Sequence, residues 1–549
     1  MPKTSPLACH PLFAQRLALF ENDARRTLLR QGLRGIEKES LRVTLDGRLA
    51  DTPHPETMGA ALTHPQLTTD YSEALLEIIT PALPDAAQTL DSLDTLHRLV
   101  YSKLDHEILW NESMPCVLPQ DHEIPIAEYG SSNIGRLKHV YRHGLALRYG
   151  RSMQCIAGIH YNYSLSEEVW AVLREHEQAG ADPIAFQSQR YLALIRNFRR
   201  YSWLLMLLFG ASPSISKNFL RDNSHALDTF DADTLYLPYA TSLRMSDLGY
   251  QNNPAQAGMS PSYDSLESYL QSLAQAVSQP HSAYEKIGTH INGEWVQINT
   301  HVLQIENEFY STIRPKRITD PGERPLHALA ERGIQYVEVR CLDIDPFEPI
   351  GLNLATARFL DAFLLFCAMN DSPDLPCAEL KEANENFAKV VTQGRRPGLQ
   401  LQRDGRALPL SDWARELCDQ IAHAAQILDA EAPPGISHGA ALAQQRAKLD
   451  DLSLTPSARV LETMHARHQS FEQFALDLST THANNFKARP LDAAQNTFFE
   501  QLAQTSRLEQ ARLERDEADD FDGFVKAYQK LDIKIAQAGV EIKCAQTAS

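Results

Sequence analysis

The sequence has none of the short motifs that mark common nucleotide and metal enzymes. GxxxxGK[ST], GxGxxG and HExxH are all missing from its 549 residues. This excludes a P-loop, a Rossmann turn and a zincin helix. A basic surplus is missing too: 52 Lys and Arg stand against 70 Asp and Glu, a formal charge of −18. No nucleic-acid partner is expected, because neutralising a phosphate backbone needs excess cationic side chains. A small anion remains admissible, since a basic pocket can sit inside an acidic protein. Long hydrophobic runs are absent as well. Trp203–Phe209 is short and follows Arg196, Arg199 and Arg200, and Ile350–Met369 contains Arg358 and Asp361. Neither suits a bilayer, so no membrane partner is expected. The opening MPKTSPLACHPLFAQRL has no apolar core before a small-residue cleavage site, and a cytoplasmic location is the expectation. The eight cysteines are scattered without a CxxC pair, which suggests reduced thiols and no disulfide framework.

What is present is ordinary globular composition, 43% hydrophobic and 22% charged, in a chain long enough for one large or two to three ordinary domains. Phe13, Leu17, Phe20, Ala24 and Leu28 predict an opening helix over 11–30. From about residue 33 to 342, helical and strand-like segments alternate irregularly, which predicts an α+β fold. After Ile350 the pattern is almost wholly helical. A loop is expected around Ala432-Pro433-Pro434-Gly435, followed by charged helices, an acidic run from Glu514 to Asp522 and a frayed tail.

The chemistry shows in strands that carry charge on one face. Residues i and i+2 of a strand point the same way. Over 33–44, Glu37 and Glu39 lie on the face of Gly35, Leu41 and Val43, opposite Arg34, Ile36, Lys38, Ser40 and Arg42. A solvated edge strand would explain one such Glu. Two on an apolar face point to a metal, because adjacent like charges are costly without a cation. Glu77 sits within a run over 70–81 that is otherwise apolar on both faces. Over 154–164, Gln154, His160 and Asn162 share a face. Over 303–314, Gln304, Glu306, Glu308, Tyr310 and Arg314 share another, and Arg314-Pro315-Lys316-Arg317 forms a basic cluster suited to phosphate. Over 336–342, Glu338 and Arg340 oppose Val337, Val339 and Cys341. Carboxylates, a histidine and arginines on one sheet face suit hard divalent cations bridging to phosphate. By pattern alone this is a metal-dependent enzyme acting on an anionic substrate.

At these residues the sequence resembles the bacterial monomeric type of glutamate–cysteine ligase. The resemblance rests on RGIEKESLRV (34–43), ALTHPQLTTDYSEALLEIITP (61–81), YGSSNIGRLKHVYRHGL (129–145), MQCIAGIHYNYS (153–164), FGASPSI (209–215), YLPYATSLRMSDLGY (236–250), LQIENEFYSTIRPKR (303–317) and QYVEVRCLDIDPFEPIG (335–351). These segments come in the family's order over most of residues 30–400, while the region after about Gly398 resembles it only loosely. The resemblance implies a glutamine-synthetase-like fold, in which a curved, mostly antiparallel sheet forms a funnel-shaped active site with helices packed around it. It implies a catalytic unit over 1–430, with its sheet core at about 30–350, and a divergent helical region over 431–549 packed on the same unit.

By the same resemblance, Glu37, Glu39, Asp70, Glu77, His160 and Glu338 would hold Mg²⁺ or Mn²⁺. Tyr71, Tyr141, Gln154, Tyr250 and Tyr310 would form the cysteine-side pocket. Arg142 and Arg340 would be catalytic and Arg244 substrate-binding, while Asn162, Arg314 and Lys316 would face the nucleotide. Tyr71 stands where a Phe is expected. The implied substrates are glutamate, cysteine and ATP, and the implied state is a monomer. Three other readings are another carboxylate–amine ligase with a different acceptor, a metal-dependent hydrolase, and an acidic helical scaffold.

Overall fold

The computed structural model describes residues 10–180, 182–220, 225–249, 256, 259, 261–320, 322–430, 433, 435–517 and 520–531. Alternating polarity forms the strands β1 (Arg34–Thr44), β2 (Leu67–Thr69), β3 (Leu75–Ile79), β4 (Glu107–Leu109), β5 (Ile159–Tyr163), β6 (Ile313–Lys316) and β7 (Tyr336–Leu342). They join in one sheet of order β6-β7-β5-β1-β3-β2, with β4 paired to β1, and every pairing is antiparallel. The back of this sheet is apolar: Ile36, Leu76, Ile78, Ile159, Tyr161, Val337 and Val339 are fully buried. Burying each such side chain stabilises the fold by about 1.5–3 kcal/mol. The cover comes from helices. These are α1 (Pro11–Ala18), α2 (Asp23–Arg30), α3 (Ala86–Lys103), α4 (Asn133–Tyr149), α5 (Pro183–Tyr201), α6 (Leu354–Met369), α7 (Leu410–Leu428), α8 (His438–Asp450), α9 (Phe471–Lys487), α10 (Ala493–Asp516) and α11 (Phe521–Gln529). Of these, α3 packs on β1 and β3, α5 packs on β6 and β7, and α6 packs on α3, α5, α7 and α8. The α+β expectation holds.

Several boundaries differ from expectation. The opening helix is two, because Asn22 Oδ1 accepts from Arg25 N and starts α2 afresh. Strand structure covers only 159–163 of 154–164, since Ser152–Cys155 form a 3₁₀ turn. The strand expected over 303–314 is confined to its end. Glu306–Glu308 form a 3₁₀ turn, and side chains take the place of a ladder there: Gln304 Oε1 accepts from Ile298 N and Glu308 Oε2 from Gln304 N. The C-terminal region contains a hairpin, Gln400–Arg403 with Arg406–Pro409. The Ala432–Gly435 loop is only partly within the described residues, and the tail beyond 531 lies outside them. Cys116, Cys155, Cys341, Cys367 and Cys418 are free and buried. Among the described residues no helix is long and apolar enough to cross a membrane.

Candidate active site

Antiparallel pairing puts directly opposed residues on the same face. Glu37 opposes His160, Glu39 opposes Glu77, Asn162 opposes Glu338 and Glu338 opposes Arg314. The acids read from separate strands therefore meet on the sheet's front. Ligand atoms of Glu37, His160 and Glu338 lie within 4.8 Å of one another. His160 Nδ1 is 3.2 Å from Glu37 Oε2, and its Nε2 is 3.8 Å from Glu39 Oε1. Asn162 Nδ2 donates to Glu37 Oε1 at 2.8 Å. Asn162 Oδ1 is buried without a partner among the described residues. An oxygen-rich set with one imidazole fits a hard divalent cation.

The charges on this face are unevenly balanced. Glu338 accepts from Lys316 Nζ at 3.1 Å and Arg340 Nη1 at 3.0 Å, with Arg314 Nη1 at 3.8 Å. Burial alone would raise its carboxyl, but Lys316, Arg340, His160 and Arg314 together hold it well below the usual range. Glu77 forms no ion pair among the described residues, and the nearby cation whose charge it meets is the buried Lys138. Burial, then Glu37, Asp70, Glu39 and Glu338, push it well above the usual range. Burial also raises Glu39. This part of the face lacks positive charge that a divalent cation would supply.

Beside the acids a small cleft opens, lined by Glu39, Asp70, Tyr71, Tyr141, Arg142, Leu145, Tyr149, Met153, Gln154, Gln256, Asn307, Glu308, Tyr310 and Arg340. Its volume of about 120 Å³ suits a small amino acid far better than a drug-sized ligand. The expected Tyr71, Tyr141, Gln154 and Tyr310 all reach it, as do Arg142 and Arg340. Arg142 is fixed by the Asp70 carbonyl, to which its Nε donates, and by Tyr129, whose ring lies 4.7 Å from the guanidinium.

Arg244 does not line the cleft. It is 1% exposed, and its Nη2 donates to the Arg340 carbonyl at 3.0 Å while its Nη1 lies 3.6 Å from Asp343. Gly158 leaves it room, for a Cβ there would fall 2.0 Å from Arg244 Nη2. Tyr250 lies outside the described residues. Sequence reasoning did not assign Leu145, Tyr149, Met153, Gln256, Asn307 or Glu308 to the site. Helical spacing from Tyr141 would have found Leu145 and Tyr149, one and two turns along α4. Asn307 could not be found while 303–314 was read as a strand, which turns it away from Tyr310.

A family model for glutamate-cysteine ligase matches residues 17–390. A glutamate–cysteine ligase of Janthinobacterium sp. (strain Marseille) is 60% identical over 519 residues, covering 94% of this chain and 98% of its own. One from Pseudomonas paraeruginosa is 61% identical over 518 residues, with the same coverage of both chains. Alignments of this length take in most of the C-terminal helices, which the family model leaves out. Among solved structures, the glutamate–cysteine ligase of Francisella tularensis in complex with AMP superposes with a TM-score of 0.85 at 38% identity, covering 91% of this chain and 97% of that one. A bifunctional glutathione synthetase from Pasteurella multocida gives 0.69 at 25% identity, covering 93% of this chain and 59% of that one. The chain belongs to the glutamate–cysteine ligase family.

Proposed function

We propose that this chain joins the side-chain carboxylate of glutamate to the amine of cysteine, driven by ATP and releasing ADP and phosphate. The observation that carries the reading is the continuity of the two half-sites: Glu39 and Arg340 belong both to the charged sheet face and to the tyrosine-lined cleft. Family membership and the AMP bound to the Francisella relative support it.

The glutamate carboxylate would attack the γ-phosphate of ATP and form a γ-glutamyl phosphate, which the cysteine amine then opens with loss of phosphate. Two anions meet in the first step, so positive charge must offset their repulsion. Arg314, Lys316 and Arg340 on the sheet face, with Arg142 in the cleft, would supply it. Glu37, His160 and Glu338, with Glu39, Glu77 and Asp70 beside them, would hold Mg²⁺ or Mn²⁺, which supplies charge neutralisation at phosphate oxygens when bound. Tyr71, Tyr141, Tyr310 and Met153 would enclose the acceptor and keep water from the acyl phosphate. A monomeric, cytoplasmic enzyme is part of the same proposal.

The test is ADP release with Mg²⁺, ATP and glutamate, adding cysteine, other amino acids or a polyamine in turn, with the product identified by mass. Cysteine-dependent ADP release with γ-glutamylcysteine formed is the expected result. Turnover with another amine alone would overturn the acceptor. No ADP from folded protein with any acceptor would overturn the ligase reading.

A further inference from the structure

Behind the cleft lies a second hydrophobic cluster, separate from the main core. Leu137 and Val140 of α4, Ile298, and Phe521 and Val525 of α11 are buried together, and Tyr141, Trp295 and Ile305 pack against them. Tyr141 therefore has one side in this cluster and the other in the cleft. The cluster joins the cleft's two walls, for α4 carries Tyr141, Arg142, Leu145 and Tyr149, and the 305–310 segment carries Asn307, Glu308 and Tyr310.

Polar contacts tie the same end of the chain to both walls. Next to α4, Glu517 accepts from Asn133 N at 2.6 and 2.7 Å, and Glu514 Oε1 accepts from Ser131 N at 2.9 Å. Carboxylates at a helix N-terminus are favourably placed against its dipole. The Arg136 guanidinium lies 4.1 Å from the Phe521 ring. Towards the other wall, Trp295 Nε1 donates to Asp522 at 2.9 Å and Gln529 Nε2 to the Ile298 carbonyl at 2.6 Å. Arg324, which pairs with Glu306 at 2.8 Å, also lies 5.4 Å from the Tyr528 ring. The walls are in close register where they touch. Gln304 Nε2 donates to the Tyr141 carbonyl at 3.1 Å, and a Cβ on Gly144 would fall 2.3 Å from Gln304 Oε1.

We propose that α11 is a positioning element for the cleft, bracing α4 against the 298–310 segment and so setting the fit around the acceptor amino acid. Its residues touch no reacting atom. They act through Tyr141 and through the spacing of Glu308 and Tyr310 from α4. The proposal rests on the ligase reading for its kinetic readout but not for its structural one.

The test uses the full-length chain with Phe521→Ala, Val525→Ala and the pair, and Phe521→Leu as the conservative replacement. The KM for cysteine is expected to rise roughly 10- to 100-fold in the double variant, since small misplacements are that costly. The KM for ATP stays within about twofold by the same reasoning, ADP released per dipeptide increases, and Phe521→Leu restores most of the loss. Amide hydrogen exchange is expected to speed up in both 133–149 and 298–310. Unchanged cysteine KM in folded protein, or a fall in kcat alone, would overturn the kinetic role. Faster exchange confined to 521–529 would overturn the brace itself, whatever the acceptor is. Absence of γ-glutamylcysteine with the unsubstituted chain would instead refute the ligase reading, and the exchange pattern alone would then decide the brace.

Discussion

On the back of the central sheet, Arg34 Nε meets Asp361 Oδ1 at 3.0 Å, and Tyr161 Oη donates to the same oxygen at 2.9 Å. On the front, one residue along the same strands, Glu39 faces Glu77, acid against acid. Both faces bury charge. The back balances it within the chain: burial would raise Asp361, but Arg34 and His438 outweigh that and hold it at about 2. Lys38, also on the back, is accommodated by burial that pulls it down to about 7, with His97 Nε2 and Asn111 Oδ1 at 3.0 and 2.9 Å. The front does so for Glu338 but leaves Glu77 and Glu39 raised, a charge that a bound cation would offset. A pair such as Arg34–Asp361 marks support, and acids opposed to one another on a shared face, as Glu39 and Glu77 are, mark function.

Substitutions should separate the two faces. The largest effect is expected from Glu77→Gln, which should lower ligase turnover roughly 10²- to 10³-fold. It should leave the thermal midpoint of the metal-free protein unchanged or higher, because it relieves repulsion. ADP release and thermal unfolding on one preparation check both. Asp361→Asn should do the reverse. Leaving Arg34 buried without its carboxylate should cost roughly 3–5 kcal/mol in denaturant unfolding, with turnover per folded molecule unchanged. Because Asp361 is depressed, its contribution is full above about pH 4 and is lost as pH falls towards about 2, so the variant should lose that part of the acid transition.

A smaller, graded effect is expected from Mg²⁺. Glu77 and Glu39 are raised, so the metal-free fold loses stability as pH climbs through their values and these groups ionise. A bound cation needs them ionised, so the rise in thermal midpoint on adding Mg²⁺ should grow with pH; a rise that shrinks with pH would contradict this. Smallest is Tyr71→Phe. The Tyr71 hydroxyl is buried without a partner among the described residues, and its removal should stabilise the fold by roughly 1 kcal/mol in denaturant unfolding. A loss of stability would show that the hydroxyl is paired.

The alternation in 33–44 and 336–342 was enough to locate β1 and β7, and to put Glu37, Glu39, Glu338 and Arg340 on one side. Period-2 polarity survives wherever one face is packed. It failed at 303–310, where Gln304 and Glu308 satisfy the backbone with their own side chains and imitate a strand in sequence. It gave no sign that Arg244 turns inward to main-chain carbonyls, since an arginine's direction depends on partners distant in sequence. The bracing role of Phe521 and Val525 was equally hidden, because it exists only through contact with α4 and Ile298.

The most direct measurement is Mn²⁺ binding, followed by electron paramagnetic resonance, to the unsubstituted chain, Glu37→Gln and Asp361→Asn. The front–back distinction predicts that Glu37→Gln weakens binding at least about tenfold while Asp361→Asn binds like the unsubstituted chain. Equal affinity in all three, or loss in Asp361→Asn alone, would contradict it.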